Sequence, residues 1–324
     1  MNKYYIINDQ NEEEFDNDWF FEENGHYPHI AWWSGGITSA VTCKKVIDLY
    51  GKDKVRVIFI DTQNEHEDTY RFKKDCEKWY GLPIETITKI GEKYPSIQAV
   101  WERHLSLNIS KGAVCSTKLK TRARQSWQKN NKWESQAFGF ELDEIKRVRG
   151  MVLNHPYLKP IFPLMMFGLS KKDCINIVQD AGIEVPVMYK LGFLNNNCFQ
   201  TGCIQGGIGY WQKMKSDLPD KFDAMAEVEH RLTNLKGSPV TMLKDQSNDA
   251  KKRVNDTGDK WQQFVFLKPH PDYPKLKDIS MLKGREVKPL FDCNGFCGIN
   301  DLEERTTTES EINYDDDNQL KMFE

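Results

Sequence analysis

Trp32-Trp33-Ser34-Gly35-Gly36-Ile37-Thr38-Ser39-Ala40 is the stretch whose reading decides the fold. A short apolar run from Ile30 to Trp33 enters it and reads as a strand. Beyond it, Ala40, Cys43, Ile47 and Tyr50 fall on one face of a helix over 40–50. Glycines between a strand and a helix let backbone N–H groups approach an anion with no Cβ in the way, and the helix start adds the positive end of its dipole. Ser34, Thr38 and Ser39 place hydroxyls in the same loop. The plainer alternative is a tight strand-to-helix turn. Two familiar glycine loops are excluded by spacing: neither G-x-x-x-x-G-K-[ST] nor G-x-G-x-x-G occurs here.

Working outward, Gly51 suits a helix end, and Val55-Arg56-Val57-Ile58-Phe59-Ile60 is a second strand that stops at Asp61-Thr62. A helix over 68–80 follows, with Phe72, Cys76 and Trp79 on one face and Gly81 closing it, and then a strand over 84–87. This alternation predicts an α/β fold, a doubly wound and mostly parallel Rossmann-like sheet. Ligands of such sheets bind beyond the carboxyl ends of the strands, where both the 34–39 loop and Asp61-Thr62 fall.

The 324 residues carry a net charge of −3, so there is no global basic character to announce nucleic acid. No apolar run approaches the roughly 20 residues that span a bilayer. The start, Met1-Asn2-Lys3-Tyr4, lacks a basic-then-apolar export pattern, and a cytoplasmic location with no membrane partner is expected. Four segments are expected: an acidic, solvated arm over 1–27; a nucleotide-binding domain over 28–195; a C-terminal subdomain with cysteine pairs over 196–300; and an acidic tail over 301–324. That tail has nine acids against two bases, a composition that favours disorder. A helix over 220–235 is expected in the third segment. Oligomeric state is left open, a homo-oligomer included.

The 111–132 region collects Lys111, Lys118, Lys120, Arg122, Arg124, Lys129 and Lys132 with no acid before Glu134. It reads either as a solvated helix face or as a positive wall for phosphate or sulfate. A strand over 136–140 leads into Glu141-Leu142-Asp143-Glu144-Ile145-Lys146-Arg147-Val148-Arg149, and Ser170-Lys171-Lys172-Asp173 reads as a capping box that starts a helix.

As a set, these segments resemble the PP-loop superfamily over about residues 28–215. That group comprises the ATP pyrophosphatases and the adenosine-phosphosulfate (APS) and phosphoadenosine-phosphosulfate (PAPS) reductases, and is also described as adenine nucleotide alpha hydrolase-like. The resemblance rests on Ser34-Gly35-Gly36-Ile37-Thr38-Ser39, on Asp61-Thr62 with the polar stretch after it, and on Cys115-x-x-x-Leu119-Lys120. It rests further on Gly139 with Asp143, Glu144 and Arg147 or Arg149, and on Gly182-Ile183-x-x-Pro186-x-x-Tyr189. It implies an adenine nucleotide, ATP or PAPS, held by Ser34, Gly35, Gly36, Ile37, Thr38, Ser39, Asp61, Thr62 and Gly139, with Mg2+ near Asp61. It implies catalytic roles for Lys118, Lys120, Arg147 and Cys115. Where iron–sulfur members carry a Cys-Cys pair, this chain has Cys115-Ser116.

Cys198 and Cys203 form one cysteine pair, and Cys293 and Cys297 another, about ninety residues apart. They read as two halves of a four-cysteine site for Zn2+ or a 4Fe-4S cluster, as buried thiols, or as redox groups. Cys43, Cys76 and Cys174 fall on expected helices and read as apolar core. Three functions stand side by side. One is cleavage of ATP between its α- and β-phosphates to adenylate an acceptor. The second is thiol-dependent reduction of PAPS or APS to sulfite, with Cys297 as a partial echo of the reductase nucleophile. The third is a non-catalytic nucleic-acid-binding or assembly protein. The acceptor is unknown, and a nucleic acid is among its candidates.

Overall fold

The computed structural model describes residues 26–109, 112–196, 198–288 and 290, together with the backbone of Tyr4–Ile6. In chain order, β1 (Tyr4–Ile6) and β2 (His29–Trp33) precede α1 (Ile37–Tyr50), β3 (Val55–Ile60), α2 (Glu67–Tyr80) and β4 (Ile84–Thr88). Then come α3 (Ile97–His104), a short hairpin of β5 (Asn108–Ile109) and β6 (Gly112–Ala113), a π-helical turn (Ser116–Thr121) and α4 (Arg122–Lys129). β7 (Ser135–Ala137), α5 (Ile145–Asn154), β8 (Pro160–Ile161), α6 (Pro163–Met166), α7 (Lys171–Asp180) and α8 (Val187–Lys190) complete the first part. The second holds α9 (Ile208–Asp217), α10 (Pro219–Lys236), β9 (Leu243–Lys244), α11 (Asn248–Thr257), β10 (Phe264–Phe266) and β11 (Lys277–Asp278).

The main sheet runs β1-β4-β3-β2-β7-β8, and every pairing in it is parallel. After β2 the chain builds β3 and β4 on one side, then crosses back to lay β7 and β8 on the other. The order therefore reverses between β2 and β7, and a crevice opens beyond their carboxyl ends. Residues alternate along the central strands. Ala31, Trp33, Val57 and Phe59 pack with α1, α2 and α7, while Ile30, Trp32, Ile58 and Ile60 pack with α4 and α5. Apolar side chains on both faces are what a parallel sheet covered by helices requires.

The expected fold class is the observed one, and several ends differ. α1 begins at Ile37 rather than near residue 40, so Thr38 and Ser39 stand in its first turn. The strand expected over 136–140 stops at Ala137. The basic run divides: Lys118, Lys120 and Arg124 are buried, while Lys129 and Lys132 are exposed. Within the expected arm, the backbone of Tyr4–Ile6 pairs with Thr86, Ile87 and Thr88 at the sheet edge. Residues 1–3 and 7–25 of that arm, the 301–324 tail, Cys293 and Cys297 lie outside the described residues. The capping box forms at Ser170, whose hydroxyl accepts from the Asp173 N–H at 3.3 Å, while the Asp173 carboxylate accepts from the Ser170 N–H at 2.9 Å.

One apolar cluster draws on both sides of the boundary expected near residue 195: Tyr94, Trp101 and Leu119 pack with Trp211, Phe222 and Val265. In it Glu229 of α10 is fully buried. One of its oxygens accepts from the Met242 N–H at 2.8 Å and the other from the Leu267 N–H at 2.7 Å. The carboxylate thus pins the approach to β9 and the exit of β10 to the longest helix among the described residues.

Burial pushes the Glu229 carboxyl up to about 8, against the pull of the two amides. Its folded pKa stands above the ordinary carboxylate value, so this group's contribution to stability is complete at acid pH and is lost as pH rises through about 8. Denaturant melts across this range should show the decline in wild type and a flatter profile in Glu229→Gln. At pH 5 the variant should be about 1–3 kcal/mol less stable, because an amide group then faces one of the N–H donors.

Candidate functional site

The 34–39 loop is braced by its own hydroxyls. The Ser39 hydroxyl accepts from the Ser34 N–H and from the Ser34 hydroxyl, both at 3.0 Å, and donates to the Gly36 carbonyl at 2.9 Å. Ser34 and Ser39 therefore direct their hydroxyl protons into the loop at the start of α1. Gly36 is the residue before that helix and makes no side-chain cap, and no acid stands in the first turn. The Ile37 N–H donates to the Tyr189 hydroxyl at 3.2 Å. Gly35 has φ +88°, and a Cβ there would sit 2.8 Å from Thr69 Cγ2. From the other side of the reversal, Gly139 passes so close to α1 that a Cβ would lie 3.1 Å from the Ser39 nitrogen and from Thr42 Oγ1. Only glycine lets the β7 loop close against the helix start.

The loop after β3 forms the next wall. Asp61 is buried, and its Oδ1 accepts from the Gln63 N–H at 2.7 Å and from the Tyr70 hydroxyl at 3.0 Å. The Thr62 hydroxyl is buried with no hydrogen-bond partner. A carboxylate beside an unmatched hydroxyl is the hard-oxygen chemistry that suits Mg2+, so the residues present fit that ion. His66 is no free surface residue: it is half-buried and caps α2, with Nδ1 accepting from the Asp68 N–H at 3.1 Å.

A strap from beyond α8 crosses these loops. The Asn196 amide donates to the Gly35 carbonyl at 2.9 Å and to the Thr69 hydroxyl at 3.1 Å. The Cys198 N–H donates to Glu65 Oε2 at 2.9 Å, and the Asn64 amide donates to the Thr201 hydroxyl at 2.8 Å. Asn195 clasps the backbone of Leu290 in both directions, donating to its carbonyl and accepting from its N–H, each at 2.6 Å.

The cations arrive from two elements. Lys118 and Lys120 are buried on the π-helical turn, a distortion that aims consecutive side chains differently from an α-helix. Lys120 Nζ lies 3.5 Å from Glu65 Oε1, and Glu65 is fully buried. Burial raises the Glu65 carboxyl, and Asp61 adds to the rise; Lys120 and the Cys198 amide oppose it. On α5, Arg147 is buried, pairs with Glu144 and lies 4.3 Å over the Phe140 ring, while Arg149 is exposed. Glu144 also accepts from the Glu141 N–H at 2.9 Å, so the turn after Gly139 positions the arginine.

Cys115 is buried immediately before the π-helical turn, in the cluster that includes Phe199 and Tyr210. The Cys203 N–H donates to the Tyr210 hydroxyl at 3.0 Å. None of the six described cysteines is in a disulfide. Burial pushes the thiols of Cys76 and Cys174 up to about 12, which fits their reading as core. Among the described residues, no group of three or more His, Cys, Asp or Glu is placed to hold a metal ion. The four-cysteine reading needs Cys293 and Cys297, which lie outside them.

Sequence reading did not single out Glu65, Asn64, Asn195 or Asn196. The signal was present as a polar run, Asn195-Asn196-Asn197, directly before Cys198. Among the described residues no helix is long and apolar enough to cross a membrane. A sequence model of the phosphoadenosine phosphosulfate reductase domain matches residues 28–200. No match was found among curated proteins.

Gly35→Ala should cost about 1–3 kcal/mol in chemical denaturation, from left-handed backbone and the approach to Thr69. Gly207→Ala, at a position with ordinary backbone and nothing within 4 Å of the added carbon, should cost under about 1 kcal/mol.

Proposed function

The chain belongs to the phosphoadenosine phosphosulfate reductase domain family, of the PP-loop superfamily, and from that premise we propose that it binds ATP and cleaves it between the α- and β-phosphates to adenylate an acceptor. The observation that carries this reading is the loop itself. Amides at an uncapped helix start stand at the point where strand order reverses, braced by Ser39 and closed over by Gly139. An oxygen of the acceptor attacks the α-phosphorus, its bond to phosphorus forms as the bond to the bridging oxygen breaks, and pyrophosphate leaves with that electron pair. The loop amides receive the departing pyrophosphate. Lys118, Lys120 and Arg147 offset the charge that develops in the transition state. Asp61 and Thr62 would hold Mg2+, which supplies charge neutralisation at the phosphates. Cys198 and Cys203 belong, in this reading, to a metal or cluster site that also takes Cys293 and Cys297. Burial of Lys118, Lys120 and Arg124 removes three cations from any exposed surface that would track a nucleic acid backbone.

Family membership itself favours a second reading, reduction of PAPS. There a thiolate attacks the sulfur and adenosine bisphosphate leaves; a second thiol then displaces sulfite from the S-sulfonate, and the disulfide formed is reduced by thioredoxin. Cys115 and Cys297 are the thiols in question.

Calorimetric titration with ATP and, separately, PAPS distinguishes the two. The adenylation reading expects ATP to bind, binding to disappear in Ser34→Ala/Gly36→Ala, and pyrophosphate to appear on turnover with an acceptor. A preference for PAPS with thioredoxin-dependent sulfite release establishes the reductase instead. In either reaction Lys120→Met should lower turnover by roughly 10²–10³-fold with a smaller change in nucleotide affinity.

A further inference from the structure

Glu65 stands between the two parts of the site that the proposed function treats separately. It is fully buried, yet each oxygen faces a different partner: Oε2 takes the Cys198 N–H at 2.9 Å, and Oε1 lies 3.5 Å from Lys120 Nζ with no hydrogen bond of its own. Cys198 has φ +60°, a left-handed conformation that a residue other than glycine adopts at a cost and keeps only where its surroundings hold it. Among the contacts that hold it are the bond to Glu65, a 2.8 Å bond from the Gly202 N–H to the Cys198 carbonyl and a longer one, 3.5 Å, from the Asn64 amide to the same carbonyl. The same short segment is tied to the 34–39 loop through Asn196 and Gly35, and to the β3 loop through the Asn64 carbonyl, which accepts from the Gln200 N–H at 3.1 Å.

We propose that Glu65 is a positioning residue that holds the Cys198–Cys203 loop against the anion loop, so that occupancy of the anion loop and access to these two thiols are coupled. An anion received by the α1 amides orders Gly35, Gly35 fixes Asn196, and Asn196 fixes Cys198 two residues on. From the other direction, Lys120 Nζ stands 3.5 Å from the second oxygen of Glu65 and so fixes the carboxyl from the side opposite the Cys198 amide. Coupling of this kind is reciprocal: whatever tightens the cysteine loop also raises affinity for the anion. The static part, Glu65 holding the loop, stands on its own contacts; the coupling to a ligand rests on the reading of the 34–39 loop as a nucleotide site.

The test is labelling of the full-length protein with N-ethylmaleimide, read peptide by peptide by mass spectrometry. Cys76 and Cys174 serve as buried internal references, and folding is checked by circular dichroism. Glu65→Gln should raise the labelling rate of Cys198 and Cys203 by about tenfold and leave the references unchanged, since a charge-assisted bond to the loop is replaced by a weaker one. Asn64→Ala, which removes the Asn64 amide's bonds to the Thr201 hydroxyl and the Cys198 carbonyl and leaves Glu65 in place, should move the rates the same way by a smaller factor; if Glu65→Gln does not fold, Glu65→Asp, which keeps the charge but shortens the reach to the Cys198 N–H, takes its place and should raise the same two rates. Saturating ATP or PAPS should protect both cysteines in wild type, and protection should be lost in Glu65→Gln. Unchanged labelling of Cys198 in the folded variant, or equal protection by nucleotide in both proteins, overturns the proposal. Calorimetry on the same samples separates the two readings: if no nucleotide binds, the proposed function fails, while the comparison of variant and wild type without ligand still decides the role of Glu65.

Discussion

A parallel sheet is covered on both faces, so the only place where polar chemistry can gather is where its strands end. That constraint shapes this molecule. β2 is apolar on both sides, from Ile30 to Trp33, and then turns polar at Ser34. β3 does the same, from Val57 to Ile60 and then Asp61. Because β3 and β7 flank β2 on opposite sides, the ends of three strands converge on one crevice. The glycines at 35 and 139 are the steric condition for that convergence: each lets a neighbour approach more closely than a methyl group would allow.

The second organising element is charge held out of water. Lys118, Lys120, Arg147, Asp61 and Glu65 are all buried around the crevice. Ionised groups in such surroundings interact far more strongly than at a surface, and an unmatched one is costly. The arrangement answers that cost by pairing. Lys120 faces Glu65, Arg147 pairs with Glu144 and lies over Phe140, and Asp61 accepts from a backbone amide and a tyrosine hydroxyl. Preorganised charge of this kind is what stabilises developing charge in a transition state without rearrangement.

How much of this was legible in the sequence follows the range of the interactions. β2, β3, β4 and the helices between them could be read because periodicity and glycine stops are local, and the capping box at Ser170 is written within four residues. The 34–39 loop was legible for the same reason, although the inward use of the Ser34 and Ser39 protons was not. α11 carries one buried residue, Ala250, and so has no apolar stripe to recognise. α9 starts directly after Gly206-Gly207, with Gly207 as the residue before the helix, and a pair of glycines is no local signal of a helix start. The solvated-face reading of the basic run holds for Lys129 and Lys132 and not for Lys118 and Lys120, which are buried on a π-helical turn that composition does not announce. Asn196 was invisible for the strongest reason: its partner Gly35 is 161 positions away.

That distance has a consequence in time. The 34–39 loop and the strap that crosses it are made at opposite ends of the matched domain, and Asn195 is itself clasped by Leu290, a further 95 positions on. Contacts of such separation form after local structure, since the entropy of closing the long segment between them is lost before the contact returns anything. A chain emerging from the ribosome therefore carries a folded glycine loop well before it can carry the strap. The early protein is a sheet with an open crevice, and the finished rim is among the last parts to be set in place.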